Sequence, residues 1–126
     1  MIIIDPCVFE AMQEFAKNSH PHEVIVLLRG EKDGDDILVT DFLLPPFGLG
    51  GQGFASFPSH MLPIDFTIMG TAHSHPSGVL RPSTGDLHNF YGRIMMIIGP
   101  PYDEPNVAAY RKNGKRVSVK LANPQQ

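Results

Sequence analysis

Cys7 is the only cysteine in the chain. An internal disulfide is therefore impossible, and a reducing cytoplasm is the expected home. No apolar stretch approaches the roughly 18 residues that a membrane span requires. Acidic Asp5 follows only four residues into the chain, so no secretory signal is expected. Cations are few: 10 Lys and Arg stand against 13 Asp and Glu, a net charge of −3. With no long run of Lys or Arg, neither nucleic acid nor a membrane is an expected partner. Gly48, Gly50, Gly51 and Gly53 are not followed by Lys-Ser/Thr or by a helix, so they form no phosphate-binding loop. The acidic segment Glu31 to Asp36 lacks the spacing and closing Glu of a calcium loop, and reads as a solvated hairpin tip. No repeat or linker divides the chain, so residues 1–126 are expected to form one domain.

What remains is an α/β pattern. Asp5-Pro6 opens a helix, with Asp as N-cap and Pro at the first helical position. Val8, Met12, Phe15 and Ala16 share one face of it, and His20-Pro21 ends it. Cys7, just inside the helix start, is expected to be a core or half-buried thiol. Strands are predicted over 24–28, 37–44, 66–73 and 94–98 from their β-branched and apolar content. The run Ile94-Met95-Met96-Ile97-Ile98 is wholly apolar, as expected of a central strand covered on both faces. Asn113-Gly114 predicts a hairpin between Val107–Arg111 and Arg116–Leu121. Pro45 to Gly53 reads as a loop and Phe54–Phe57 as a short strand after it. Together these predict a mixed, curved β-sheet flanked by helices.

The residues that carry chemistry lie together: His73-Ser74-His75, then Ser83 and Asp86, a pattern H-x-H-x7-S-x2-D. Residues i and i+2 of a strand face the same side, so His73 and His75 can point at one metal where the 66–73 strand ends. The loop through Pro76, Gly78 and Pro82 leads to Ser83-Thr84-Gly85-Asp86, which reads as a helix start running roughly to Tyr91. Ser83 can cap that helix, and Asp86 falls near its positive end. Two His and one Asp leave a fourth tetrahedral position open, which in zinc chemistry marks a catalytic centre rather than a structural one.

This arrangement resembles the signature of the JAMM (MPN+) zinc metalloproteases. The resemblance to compact archaeal, deubiquitinase-like members extends across nearly the whole chain. It includes Met61-Leu62-Pro63, His73-Ser74-His75-Pro76-Ser77, Arg81-Pro82-Ser83 and Pro101-Tyr102-Asp103-Glu104. The family also needs an upstream glutamate at the start of an early strand, and Glu23, before Val24 to Leu28, stands in such a place. The resemblance implies a cytidine-deaminase-like fold and one catalytic Zn2+ held by His73, His75 and Asp86. It implies Glu23 as general acid/base and Ser83 as a donor to the tetrahedral intermediate. Apolar neighbours are expected to desolvate Glu23 and raise its pKa.

The implied activity is removal of ubiquitin or a ubiquitin-like modifier from lysine, by hydrolysis after its C-terminal glycine. Conjugates of such modifiers are the implied partners, with a proteasome-type or other complex as a further one. Two other readings stay open at this point. One is a C-terminal processing peptidase of a ubiquitin-like sulfur-carrier protein. The other is a non-catalytic MPN scaffold, which would lack the metal ligands. The Gly48–Gly53 region is expected to border the groove for the modifier's extended tail.

Overall fold

The structure, a computed structural model, describes residues 1–44, 65–88, 90–103 and 106–122. The expectations placed on Pro45–Gly53, Phe54–Phe57 and Met61–Pro63 lie outside the described residues. The elements run β1 (Ile2–Ile4), α1 (Pro6–Ser19), β2 (Ile25–Asp33), β3 (Asp36–Leu43), β4 (Ile68–Ser74), α2 (Thr84–His88), β5 (Ile94–Ile98), β6 (Val107–Arg111), β7 (Arg116–Val117) and β8 (Val119–Leu121). Among the described residues, no helix is long and apolar enough to cross a membrane.

Among the described residues, eight strands join one mixed sheet in the order β7-β6-β5-β4-β2-β3-β1-β8. β4 and β5 are parallel, as are β1/β3 and β1/β8, and the other pairs are antiparallel. β7 and β8 stand at opposite ends of that order, yet Ser118 alone separates them. A chain spans at most about 3.6 Å per residue, so the two sheet edges must meet. The sheet therefore curls nearly shut, and at that corner the backbone N–H of Ile2 donates to the Ser118 carbonyl at 2.8 Å, continuing the β1/β8 ladder. The mixed, curved sheet expected from the sequence is present, more strongly curved than the strand pattern alone implies. The predicted hairpin at Asn113-Gly114 is only half a hairpin: β7 returns along β6 for two residues, and the remainder leaves to pair with β1.

Asp5 caps α1 as expected, its carboxylate accepting from the N–H of Cys7 at 2.8 Å. The helix buries Phe9, Met12 and Ala16, with Val8 and Phe15 half-buried beside them. Cys7 is exposed, not a core thiol, because its position falls off the 9-12-16 face. β4 starts two residues later than predicted. The Asp65 carboxylate accepts from the Thr67 N–H at 2.9 Å, an Asx turn that holds the chain out of the sheet and leaves Phe66 90% exposed.

β5 separates two packed faces. Ile94, Met96 and Ile98 join the main core beneath α1. Met95 packs with Phe90 and Leu87, and Ile97 with Ala108, Tyr110 and Leu80. All five β5 side chains are buried, each contributing about 2 kcal/mol relative to exposure. Leu80 and Leu87 flank the segment that carries Ser83 and Asp86. That segment thus seals the sheet face opposite α1.

Candidate metal centre

β4 lies between β2 and β5, with Ile25 opposite His73 on one side and Ile97 on the other. Paired residues of parallel strands share a face, so His73 points with Ile97 toward the Leu80 and Leu87 segment. His73 is 1% exposed, an unusual position for an imidazole in a strand. His75 follows just beyond the strand end, its N–H donating to the Ile98 carbonyl at 2.9 Å. The two rings stack with centroids 4.6 Å apart and planes 18° apart. The expected convergence of His73 and His75 is therefore present.

Asp86 reaches them from α2. Ser83 and Asp86 form a reciprocal capping box: the Asp86 N–H donates to Ser83 Oγ at 3.0 Å, and the Ser83 N–H donates to Asp86 Oδ2 at 2.8 Å. The helix is short, five residues long, and stops before the predicted end near Tyr91. Its first turn is nonetheless enough to aim the carboxylate. Asp86 Oδ2 lies 3.3 Å from His75 Nε2 and 3.7 Å from His73 Nε2. One ligand atom from each of the three residues falls within 4.8 Å of the others.

Does this set fit zinc? Ligand atoms about 2.0–2.1 Å from a tetrahedral ion are about 3.3–3.4 Å apart, close to the separations to Asp86. The protonation states also suit a metal. Burial drives the His73 pKa down to about 3, which outweighs the Asp86 charge, so this imidazole is neutral. Burial alone would raise the Asp86 pKa, but the hydrogen bonds from His75 and the Ser83 N–H, with the His charges, bring it down to about 2. His75 is the exception. Burial opposes its protonation, yet the Asp86 hydrogen bond, the Val79 carbonyl and the charges of Asp86 and Glu23 raise its pKa. Its Nδ1 lies 2.7 Å from the Val79 carbonyl. That acceptor holds a proton on Nδ1 and presents Nε2 to the cluster, the outer-shell pattern that orients ligating histidines. One zinc ion fits His73, His75 and Asp86.

Metal binding should depend on pH with a definite sign. Zinc needs neutral imidazole and ionised carboxylate. His73 stays neutral down to about pH 3 and Asp86 ionised down to about 2, so only the His75 proton competes. Below the raised His75 pKa, zinc affinity is expected to fall about tenfold per pH unit, a slope of about one proton. A competition titration with a fluorescent chelator between about pH 5 and 8 measures it. A slope of two would mean that His73 also protonates.

Ser83 is exposed, at the rim of the cluster. Its oxygen accepts from Asp86, which leaves its own O–H proton to be donated elsewhere. Glu23 stands two residues ahead of β2, in irregular backbone, and its side chain is exposed. The expected desolvation by Val24 to Leu28 does not occur, because inward packing begins only at Val24. Glu23 is near the ligands all the same, its charge favouring protonated His75. Ser74 explains the placement. Its Oγ accepts from the Val24 N–H at 2.9 Å, and its own N–H donates to the Val24 carbonyl at 3.0 Å. The residue between the two histidines thus pins the segment that carries Glu23. Sequence reading passes over Ser74; its place between the two histidines, on the opposite face of the strand, is the available signal.

Comparison with known proteins agrees with this geometry. A family model described as prokaryotic homologs of the JAB domain matches residues 6–113. The chain is 39% identical over 109 residues to a probable metalloprotease of Haloferax volcanii, covering 81% of this chain and 68% of that one. A solved JAB1/MPN domain protein from Archaeoglobus fulgidus superposes with a TM-score of 0.71 at 32% identity, over 98% of this chain and 100% of that one. A structure described as a JAMM metalloprotease-like zinc site in the proteasome and signalosome gives a TM-score of 0.72 at 28% identity, over 98% and 99%.

Proposed function

The chain belongs to the prokaryotic homologs of the JAB domain, and on that premise we propose that it is a zinc-dependent isopeptidase. Membership in this metalloprotease family and the ligand set make it a metal-dependent hydrolase. The proposed substrate is ubiquitin or a ubiquitin-like modifier joined to lysine, cut after its C-terminal glycine. The observation that carries the reading is the cluster of buried His73 and Asp86 with half-buried His75. Exposed Ser83 is bonded to Asp86, and exposed Glu23 is close enough for its charge to act on His75. It combines a three-ligand centre with two reachable groups of complementary chemistry. Similarity to a structure described as a JAMM metalloprotease-like zinc site in the proteasome and signalosome supports the zinc hydrolase part of this reading.

When bound, zinc lowers the pKa of a coordinated water to about 7 and so makes hydroxide available at neutral pH. The chain's own residues supply the remainder. Glu23 takes the proton of the attacking water and returns it to the departing lysine amine, which leaves as a neutral group. Exposure suits this role, since the carboxylate must reach both water and substrate. Ser83 Oγ–H donates to the oxygen that becomes negative as the carbonyl turns tetrahedral. The capping box keeps Ser83 Oγ at a fixed distance from the ligand Asp86, so donor and metal centre move as one unit.

The test uses a ubiquitin-like protein joined through Gly-Gly to a lysine side chain, with a linear Gly-Gly fusion in parallel. Zinc-loaded protein is expected to cleave the isopeptide conjugate and to lose that activity with a chelator. Cleavage of the linear fusion alone would replace this reading with C-terminal processing of a carrier protein. No cleavage of either would turn the reading toward a scaffold.

A further inference from the structure

The turn that carries Glu23 is fastened on both sides. After it, Val24 and Ser74 exchange two hydrogen bonds. Before it, His20 ends α1, its N–H donating to the Ala16 carbonyl at 3.0 Å, and the His22 N–H donates to the Ser19 carbonyl at 2.8 Å. The His20 ring makes a further hydrogen bond, between its Nδ1 and the hydroxyl of Tyr102, 82 residues away in sequence. The two rings meet edge to face with centroids 5.5 Å apart.

Tyr102 is an odd residue for its backbone. Its φ is +66°, the one positive value among the described non-glycine residues. An L-residue persists in that region only where its surroundings over-determine it, and glycine would sit there more easily. What a tyrosine adds is its side chain, whose ring lies in the main core while the hydroxyl reaches His20. Tyr102 also lies just beyond β5, whose last residue, Ile98, bonds the His75 N–H. The hydroxyl therefore ties the turn before Glu23 to the end of the strand that steadies a metal ligand.

We propose that Tyr102 is a positioning residue, whose hydroxyl holds the 20–23 turn through His20 and so keeps Glu23 beside the metal centre. This rests on Glu23 being the acid/base of the proposed reaction. Val24 and Ser74 fix where the turn ends, and the Tyr102–His20 bond fixes where it begins. Without that bond the start of the turn is held by the backbone bonds of His20 and His22 alone, and the carboxylate gains room to shift.

Tyr102→Phe and His20→Gln, each as the zinc-loaded full chain, are compared with wild type on the isopeptide conjugate. Each is expected to lose about tenfold in kcat, with KM and zinc per chain unchanged. The double variant is expected to fall no further than either single one, since both remove the same bond. Amide hydrogen exchange at His22 and Val24, read without substrate, is expected to quicken about tenfold in each variant. Wild-type kcat, unchanged exchange, or a loss of zinc would each overturn the proposal. If wild type cleaves no conjugate, the isopeptidase reading fails instead, and exchange alone decides: faster exchange at His22 and Val24 upholds the latch, unchanged exchange ends it.

Discussion

Replacing Glu23 by Gln is expected to lower kcat about 10²–10⁴-fold, the usual worth of a general acid/base, with zinc content unchanged. The amide has nearly the shape of the carboxylate but cannot take a proton at neutral pH. Because Glu23 is exposed and lies outside the ligand cluster, the substitution removes chemistry without removing packing. Stability is expected to stay within about 0.5 kcal/mol, as for surface changes in general. Steady-state cleavage of the isopeptide conjugate, metal analysis and urea unfolding on one preparation read all three. Full activity in Glu23→Gln would place the base elsewhere, with exposed His22 the first group to test next.

Position in the chain decides which parts of this arrangement can be read from sequence. His73, His75, Ser83 and Asp86 are legible because strand end, loop and helix start follow one another locally. Strand periodicity pairs the two histidines, and capping chemistry links the other two. β5 is legible for a different reason: five unbroken apolar residues are too short for a helix and fit best at the centre of a sheet. Elements defined by distant partners are not legible. β1 has three residues, too few to show a period, and is a strand only because β3 and β8 lie alongside it. Likewise nothing local divides Arg116–Leu121 into strands at opposite edges of the sheet, a split that closure of the sheet imposes.

Glu23 shows the same limit at the site. Its place ahead of a strand is readable, but its exposure is not, because exposure depends on where β2 begins to be covered. Nor can the sequence show that Ser74 and Tyr102 hold the turn, since those bonds join residues 50 and 82 positions apart. Local signals thus locate the candidate ligands, and long-range hydrogen bonds place the turn that carries Glu23 relative to them.

Asp86→Asn and Asp86→Ala should separate the two tasks that this one side chain performs. Asp86 Oδ2 faces both histidines, in place to hold a metal, and the same oxygen accepts the Ser83 N–H that starts α2. Asn keeps an acceptor for that N–H but loses the charge that binds a cation and holds a proton on His75. Zinc affinity is expected to fall at least about 100-fold, since outer-shell losses alone cost about 10–100-fold, and activity should fall with zinc occupancy. Metal-free Asp86→Asn is expected to unfold at nearly the wild-type urea concentration. Ala removes the acceptor as well as the charge, so metal-free Asp86→Ala is expected to lose about 1 kcal/mol more, the usual cost of a lost cap. Competition titration gives the affinities, and urea unfolding without metal gives the stabilities. Wild-type zinc affinity in Asp86→Asn would remove Asp86 from the ligand set. Equal stability of the two variants would mean that the capping box contributes nothing to the fold, and that the Ser83 to Asp86 segment is held by Leu80 and Leu87 against the sheet.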